Sequence, residues 1–447
     1  MFRKCWQVCI FVAVVMLWAS LALASSLKVA LYPYVPRIEQ FKSCISENWK
    51  AVDPNVEITW VEKEKWDGGY ENDPKDDYDL FVFDATYFTY FKNKGWLMGL
   101  NQSQIDNFND FLPFAINGML KDNKYWAIPQ LGCTEYLIYK KDDKPLLKAS
   151  SMSEIVAALG KCTYHGDIPP KATGLMMDFS GGTTNAIYYV KSLEEITDTF
   201  PVPLPQDQSH INIDAINNLR TILATASLRN AWCSSKSYCQ RGLWYGQNHG
   251  RAYVDFSESL TQIPAEQLPN IAMKVMPWSD NAEGVKDPLF YCDVIGINPK
   301  TSERGTTAIA IKLANLMAST QVIVDCFKST DSEGPQYLTP VRNSAMNQLA
   351  SIYPTYATIQ TAVKTSGNPI LLNLGNDARA WIDKIKDTIK HMVIDDLQCY
   401  CDKQAGPPMD NQKAQIVCPS VCGDGNWNGQ WTNKGDYSVC GCFCGAH

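Results

Sequence analysis

The sequence lacks an excess of positive charge. Its 40 Lys and Arg residues are outnumbered by 47 Asp and Glu residues, which gives a formal net charge of −7 at pH 7. A protein that binds the phosphate backbone needs the opposite balance, so the composition argues against nucleic acid as a partner. It suits a cationic or neutral ligand.

The chain also lacks a long apolar run after its first 24 residues. Without such a run there is no candidate for a membrane-spanning helix, and we expect no stable membrane insertion. The early apolar run follows Arg3-Lys4 and ends at Ala22-Leu23-Ala24, a small-x-small cleavage pattern. We therefore predict a signal peptide over 1–24 and a secreted protein. A membrane anchor is the alternative, but no charged stop-transfer segment follows.

Cysteine, by contrast, is abundant, with 16 residues in the chain. Seven of them fall in the last 49 residues: Cys399, Cys401, Cys418, Cys422, Cys440, Cys442 and Cys444. This clustering predicts a separate, disulfide-stapled module over 399–447. Zinc is another use for such a cluster, although the predicted export and the Gly, Trp and Asn content favour disulfides. Cys233 and Cys239 are predicted to form a local bridge.

The stretch 126–139 is the centre of the sequence. We predict a turn broken by Pro129, followed by a strand that ends at Tyr139. Cys133 lies between them, directly after Gly132, where the backbone can approach a ligand closely. An accessible thiol is one interpretation; a small buried cysteine or half of a disulfide is the other. If Cys133 is free, an odd number of cysteines remains after the signal peptide, so we expect a further free or intermolecular thiol.

The order of predicted elements indicates an α/β fold with two lobes. Strands over 27–34, 56–61 and 78–84, with a helix over 37–49, are typical of an α/β lobe. Carboxyl ends of parallel strands collect ligands, and Tyr32, Tyr34 and Asp84 follow such ends. Asp84 is also a natural helix N-cap.

The chain then builds a second lobe and returns, as in two-lobed solute-binding proteins. We predict the first part of lobe 1 over 25–141 and lobe 2 over 142–255. Residues 256–398 return to lobe 1 and form the C-terminal helices.

Several motifs resemble thiaminase I, the thiamine pyridinylase family, over residues of about 27–396. They are Tyr32-Pro33-Tyr34, Asp84, the run from Ile128 to Thr134, Phe256-Ser257-Glu258 and Tyr291-Cys292-Asp293. The resemblance implies a type II periplasmic binding protein-like fold, a thiamine substrate, and an amine or thiol co-substrate. It implies neither a cofactor nor a metal ion.

The same resemblance assigns roles to individual residues. Cys133 would be the nucleophile and Glu258 the catalytic glutamate. Asp293 would hold the aminopyrimidine, with Asp84 as a second acidic contact. The aromatic lining would consist of Tyr32, Tyr34, Tyr70 and Tyr291. Phe256 stands where the resemblance predicts a tyrosine.

The chemistry of thiamine supports these roles. A nucleophile that adds to the pyrimidine ring makes the bond between the methylene and the thiazolium nitrogen labile, and a thiolate is the strongest nucleophile among side chains. A carboxylate can take the thiol proton as a general base. It also raises the thiol pKa by repulsion, so we expect proton transfer on substrate binding rather than a standing thiolate. Without the resemblance, Glu258 could be a solvated turn residue and Asp293 a strand-end cap or ion-pair partner.

The tail resembles small mannan-binding lectin modules through Trp427-Asn428-Gly429-Gln430-Trp431 and the run from Ser438 to Cys442. This implies an oligomannose partner, with Trp427, Asn428, Gln430 and Trp431 as candidate glycan-binding residues. The alternative is that both tryptophans form the core of a module too small to have another.

We therefore predict a secreted, thiamine-degrading transferase with a covalent Cys133–pyrimidine intermediate and an appended glycan-binding module. The alternative is a non-catalytic secreted solute-binding protein for thiamine or a related cation. It would share the lobes, the tyrosines and the acidic residues but would need neither Cys133 nor Glu258. A lectin whose large domain is only a scaffold fits the tail but not the cleft residues. The Asn101-Gln102-Ser103 sequon is a candidate glycosylation site.

Overall fold

A computed structural model describes residues 26–160, 171–179, 181–227, 241–394, 402–423 and 427–442. The predicted signal peptide and the predicted Cys233–Cys239 bridge lie outside these ranges. Within them, no single helix is long and apolar enough to cross a bilayer; one helix pair, Thr307–Met317 with Thr320–Phe327, passes by length and composition but is bent by 53°.

The described part of the chain alternates strands and helices. Its strands are β1 (Ser26–Ala30), β2 (Glu57–Trp60), β3 (Leu80–Asp84), β4 (Leu120–Lys121), β5 (Lys124–Tyr125), β6 (Ile128–Cys133), β7 (Tyr136–Lys140), β8 (Lys171–Met176), β9 (Ala226–Ser227), β10 (Gly250–Asp255), β11 (Ile271–Val275), β12 (Leu289–Ile297), β13 (Thr339–Pro340), β14 (Ile370–Leu371), β15 (Asp402–Gln404), β16 (Trp427–Lys434) and β17 (Tyr437–Cys442).

Its helices are α1 (Ile38–Val52), α2 (Phe88–Asn93), α3 (Pro113–Asn117), α4 (Lys144–Lys148), α5 (Met152–Leu159), α6 (Gly182–Thr197), α7 (Ile213–Leu223), α8 (Arg241–Gly246), α9 (Thr301–Arg304), α10 (Thr307–Met317), α11 (Thr320–Phe327), α12 (Asn343–Ile352), α13 (Pro354–Lys364), α14 (Ala378–Ile394) and α15 (Asn411–Cys422).

The first sheet has the order β13-β6-β12-β3-β1-β2, with β14 beside β12. β1 pairs in parallel with β2 and β3, whereas β12 runs antiparallel to both β3 and β6. Because β12 enters from the opposite direction, its first residues lie beside the last residues of β3 and β6. The sheet edge predicted to collect ligands therefore receives residues from three strands.

The second sheet has the order β11-β7-β10-β8-β9. It includes β7 and β11, whereas the predicted lobe boundaries, after residue 141 and after residue 255, assigned both strands to lobe 1. An apolar strand pattern does not reveal the sheet in which the strand pairs, and here pairing with β10 places β7 in the second sheet.

The turn predicted around Pro129 is wrong, because residues 128–133 form β6. Pro129 is accommodated at an irregularity: Leu131 pairs with Asp293 and Pro129 with Val294, so the pairing skips Gln130. Such a bulge tolerates a residue without an N–H group. On its other side β6 pairs with the short strand β13. Cys133 is thus held at the end of a paired strand.

The body of the protein has one continuous apolar core, and a disulfide joins two of its helices. Cys44 of α1 is bonded to Cys326 of α11, 282 residues further along the chain. A capping box formed by Ser151 and Glu154 starts α5. Local sequence signals and long-range covalent bonding therefore both contribute to the helical layers around the sheets.

The tail forms a small unit with its own core. β17 lies between β15 and β16, and α15 packs against β16 and β17. Disulfides Cys418–Cys440 and Cys422–Cys442 join α15 to β17. The predicted use of these four cysteines in disulfides is thus confirmed, while Cys399, Cys401 and Cys444 lie outside the described residues.

Candidate active site

Four predicted site residues meet on one face of the first sheet. Cys133 at the end of β6 is paired with Tyr291 on β12, and Asp293, two residues further along β12, is paired with Asp84 at the end of β3. Directly paired residues of antiparallel strands project to the same face, and so do residues two apart on one strand. The register therefore brings the predicted nucleophile, the two aspartates and one tyrosine together.

Cys133 is a free thiol with a partly exposed side chain. Its pKa is raised well above the usual value, first by burial and then by Asp293 and Glu258, among other carboxylates. The direction agrees with the expectation of a thiol rather than a standing thiolate. Cys292, between Tyr291 and Asp293 on β12, is also free but fully buried. Among the described residues, Cys292 fits the expectation of a further free thiol.

Glu258 reaches this face from the turn that follows β10. It lies in a short 3₁₀ helix, Ser257–Gln262, and is only 8% exposed, so the alternative of a solvated turn carboxylate is wrong. Its Oε2 atom has no hydrogen-bond partner among the described residues. Burial raises its pKa to about 8. Glu258 therefore holds its proton near neutral pH.

The two aspartates have different surroundings. Asp84 accepts hydrogen bonds from the backbone N–H of Thr86 at 2.8 Å and from the Tyr70 hydroxyl at 3.0 Å. It is thus both the predicted N-cap and part of the cleft. Burial raises the pKa of each carboxyl group, and for Asp293 the charges of Asp84 and Glu258 raise it further. The donors on Asp84 favour its ionised form, so Asp293 holds a proton more readily than Asp84 does.

The predicted tyrosines form a connected group beside Asp84. The hydroxyl oxygens of Tyr32 and Tyr70 are 3.0 Å apart, and Tyr70 in turn donates to Asp84. The ring of Tyr34 meets those of Tyr32 and Tyr70 edge to face, at 5.4 and 5.9 Å. Tyr34 is 49% exposed and lies at the rim. These rings offer the electron-rich faces that attract a cation.

Two charged residues near the thiol were missed by the sequence analysis. Glu135, two residues after Cys133, accepts a hydrogen bond from the Tyr291 hydroxyl at 2.8 Å and forms a buried ion pair with Lys191 of α6. Phe256 packs its ring edge to face against Tyr291 at 5.8 Å. Because Glu135 lies two residues after Cys133, the sequence could have indicated it as a site residue. Nothing in the sequence links Lys191 to this segment.

Fold and site together define a class: a two-lobed, binding protein-like α/β fold whose cleft holds a free thiol among buried carboxyl groups and tyrosines. Among the described residues, no group of His, Cys, Asp and Glu could hold a metal ion.

A family model described as the Thiaminase-1 domain matches residues 134–279. Thiaminase-1 of Paenibacillus thiaminolyticus is 31% identical over 371 residues, which span 81% of this chain and 87% of that protein. The chain belongs to the thiaminase I family.

Solved structures agree with this assignment. Clostridium botulinum thiaminase I in complex with thiamin matches with a TM-score of 0.76 and 31% identity, covering 83% of this chain and 100% of that chain. The GacH receptor of Streptomyces glaucescens matches with a TM-score of 0.56 and 15% identity, over 83% of this chain and 93% of that chain. The second similarity concerns the fold alone, and it confirms the predicted binding protein-like architecture.

The tail matches a family model described as Mannan-binding protein over residues 411–442. Trp427 and Trp431 both pack against the module core, and the Trp431 indole N–H donates to Asn411 Oδ1 at 3.0 Å. Trp431 therefore contributes to the structure of the module, in line with the alternative interpretation. The side chains of Asn428 and Gln430 lie outside the part of the chain that the structure describes.

Proposed function

We propose that this protein is a thiamine-degrading transferase that replaces the thiazole of thiamine with an amine or thiol. The observation that carries the proposal is the shared sheet face of Cys133, Asp293 and Asp84, with Glu258 near enough for its charge to raise the pKa of the same thiol. A site that only bound a cation would need the tyrosines and carboxylates but no accessible thiol. The Clostridium botulinum relative, solved in complex with thiamin, supports the choice of substrate.

In the first half of the reaction, thiamine brings its positive charge among Asp84, Asp293 and Glu258. This charge lowers the pKa of Glu258, which releases its proton to solvent and then takes the proton of the Cys133 thiol. The thiolate adds to a carbon of the pyrimidine ring, while Asp293 donates its proton to the aminopyrimidine and its carboxylate stabilises the resulting charge. The bond between the methylene and the thiazolium nitrogen then breaks. Its electron pair stays on the nitrogen, and neutral thiazole leaves.

In the second half, the co-substrate attacks the methylene of the Cys133-bound pyrimidine. Once Glu258 has released the thiol proton to solvent, its carboxylate accepts the proton that the amine or thiol loses. Electrons return through the ring, the carbon–sulfur bond breaks, and the thiolate is restored. The aromatic group of Tyr32, Tyr34 and Tyr70 holds the thiazolium by cation–π attraction before it leaves.

The test is intact-mass analysis of the mature protein incubated with thiamine, first without a nucleophile and then with aniline or pyridine. We expect a pyrimidine adduct on Cys133, followed by release of the exchanged pyrimidine. Cys133→Ser is the matched control because it changes one atom, and it should lower turnover by at least about a thousandfold. Tight thiamine binding without turnover in either protein would overturn the proposal in favour of a solute-binding protein.

For the tail, we propose binding to oligomannose glycans, supported by the match to the mannan-binding family over 411–442. A glycan array probed with the full chain and with a chain ending at residue 394 tests this. Signal on oligomannose that disappears with the tail is the expected result; equal signals from both chains contradict it.

We also propose that the protein is exported. N-terminal sequencing of secreted material checks this, with residue 25 as the expected first residue.

A further inference from the structure

A buried ion pair that the proposed reaction does not use lies beside the connection between the two sheets. Glu135 lies in the connection from β6 to β7, and Lys191 projects from α6. They are 3% and 2% exposed. A buried ion pair rarely stabilises a protein more than apolar residues of the same size would. Its presence two residues from Cys133 therefore calls for a functional reason.

Lys191 holds together the chain segments that cross between the sheets. Besides Glu135, its Nζ atom donates to Thr134 Oγ1 at 3.2 Å and to the carbonyl oxygen of Leu289 at 3.0 Å. Leu289 is the first residue of β12, the strand that carries Tyr291 and Asp293. The ammonium group thus joins the end of β6 to the start of β12, on either side of the candidate active site.

The same pair fixes Tyr291. Glu135 Oε1 accepts the Tyr291 hydroxyl hydrogen bond at 2.8 Å, and Lys191 Nζ lies 4.4 Å from the centroid of the Tyr291 ring. Phe256 packs against the ring from another direction. Because a cation already covers one face of this ring, that face repels a second cation. The thiazolium is therefore directed to the other tyrosines, and Tyr291 is left to contact the neutral pyrimidine.

We propose that Glu135 and Lys191 are positioning residues for the transfer reaction: their ion pair orients Tyr291 beside Cys133 and closes one face of its ring to the cationic part of the substrate. The inference rests on the proposed function. It predicts that loss of the pair lowers turnover without lowering stability to the same degree.

The experiment compares wild type with Lys191→Met, Glu135→Gln and the double variant. Lys191→Met leaves Glu135 buried without its cation and should destabilise the protein strongly. The double variant removes both charges and should recover most of the melting temperature, since neutral replacements of a buried pair are tolerated. We expect its kcat to remain at least about tenfold below that of wild type, because Tyr291 is no longer held. Recovery of full kcat with recovered stability would overturn the inference.

A second readout needs no thiamine turnover. The Glu135 charge contributes to the raised pKa of Cys133, so Glu135→Gln should shift the pH profile of Cys133 alkylation by iodoacetamide to lower pH. Ser192→Ala is the matched control on the same helix. It loses hydrogen bonds to the Trp278 carbonyl and from Asn218 and should lower stability without changing kcat or the alkylation profile.

The outcomes separate this inference from the proposed function. A wild-type protein without turnover contradicts the proposed function. Unchanged kcat and an unchanged alkylation profile in the Glu135 and Lys191 variants contradict the positioning role. An equal loss of kcat in Ser192→Ala and in the double variant would show a purely structural effect, and would also contradict it.

Discussion

Asp84 and Asp293 face each other from directly paired positions on β3 and β12, and both are buried. Asp84 has two hydrogen-bond donors, whereas the pKa of Asp293 is raised by burial and by the charges of Asp84 and Glu258. Two ionised carboxylates at directly paired positions repel each other, so the second ionisation is disfavoured. Asp293 is therefore the carboxyl group of the pair that holds a proton more readily, which suits an aminopyrimidine that gains a proton.

This difference predicts the effect of Asp293→Asn. Asparagine mimics the shape and neutrality of the protonated acid, so we expect the melting temperature near pH 7 to change little. It cannot take up negative charge when the aminopyrimidine is protonated, so kcat/KM should fall by about a hundredfold. Steady-state kinetics and thermal melts on the same sample check both effects. A large loss of stability with normal kinetics would contradict the assigned protonation state.

The pH dependence of the reaction should report Glu258. Since its pKa is about 8 and a general base acts only when deprotonated, kcat/KM should rise with pH and level off above about 8. Glu258→Gln should abolish this rise and lower kcat by about 100-fold or more. Rates measured from pH 6 to pH 9.5 with saturating aniline provide the test. A profile that is flat from pH 6 to pH 9, as it would be if Glu258 were already ionised, would contradict the assignment.

The buried glutamates also predict a pH-dependent stability. Burial raises the pKa of Glu194, Glu195 and Glu258 to about 8. Between about pH 4.5 and pH 8 the unfolded chain has lost these protons while the folded chain keeps them. The free energy of unfolding should therefore decrease as pH rises through this window.

Glu194→Gln tests this without touching the cleft. Neither carboxyl oxygen of Glu194 has a hydrogen-bond partner among the described residues, so a neutral amide removes the titration without breaking a hydrogen bond. Urea unfolding at pH 5 and pH 8 should show a smaller pH effect in the variant, with unchanged kcat. A pH slope identical to that of wild type would show that Glu194 titrates normally.

The disulfide between Cys44 and Cys326 should be the main covalent support of the first lobe. It closes a loop of 282 residues, and loss of a disulfide typically costs about 2–5 kcal/mol. The Cys44→Ser/Cys326→Ser double variant should melt at a lower temperature but retain kcat, because neither cysteine contributes to the cleft. Melting followed by circular dichroism measures the change, and an unchanged melting temperature would contradict it.

Local patterns were sufficient for much of the fold. The alternation in the first strands, the capping box at Ser151 and the cap at Asp84 depend on neighbouring residues, so they can be read from the sequence. The segment around Pro129 could not be read in this way. Its extended conformation depends on pairing with β12 and β13, which come from far along the chain.

By itself, the sequence determined the α/β character, the Cys-rich tail and the residue types of the site, because each leaves a local signature. Only the tertiary structure decided which residues act on one another. The antiparallel insertion of β12 places Tyr291 and Asp293 beside Cys133 and Asp84, and the packing of α6 brings Lys191 to Glu135 across 56 residues of chain. Register and long-range packing are set by the whole core at once, so no local stretch of sequence encodes them.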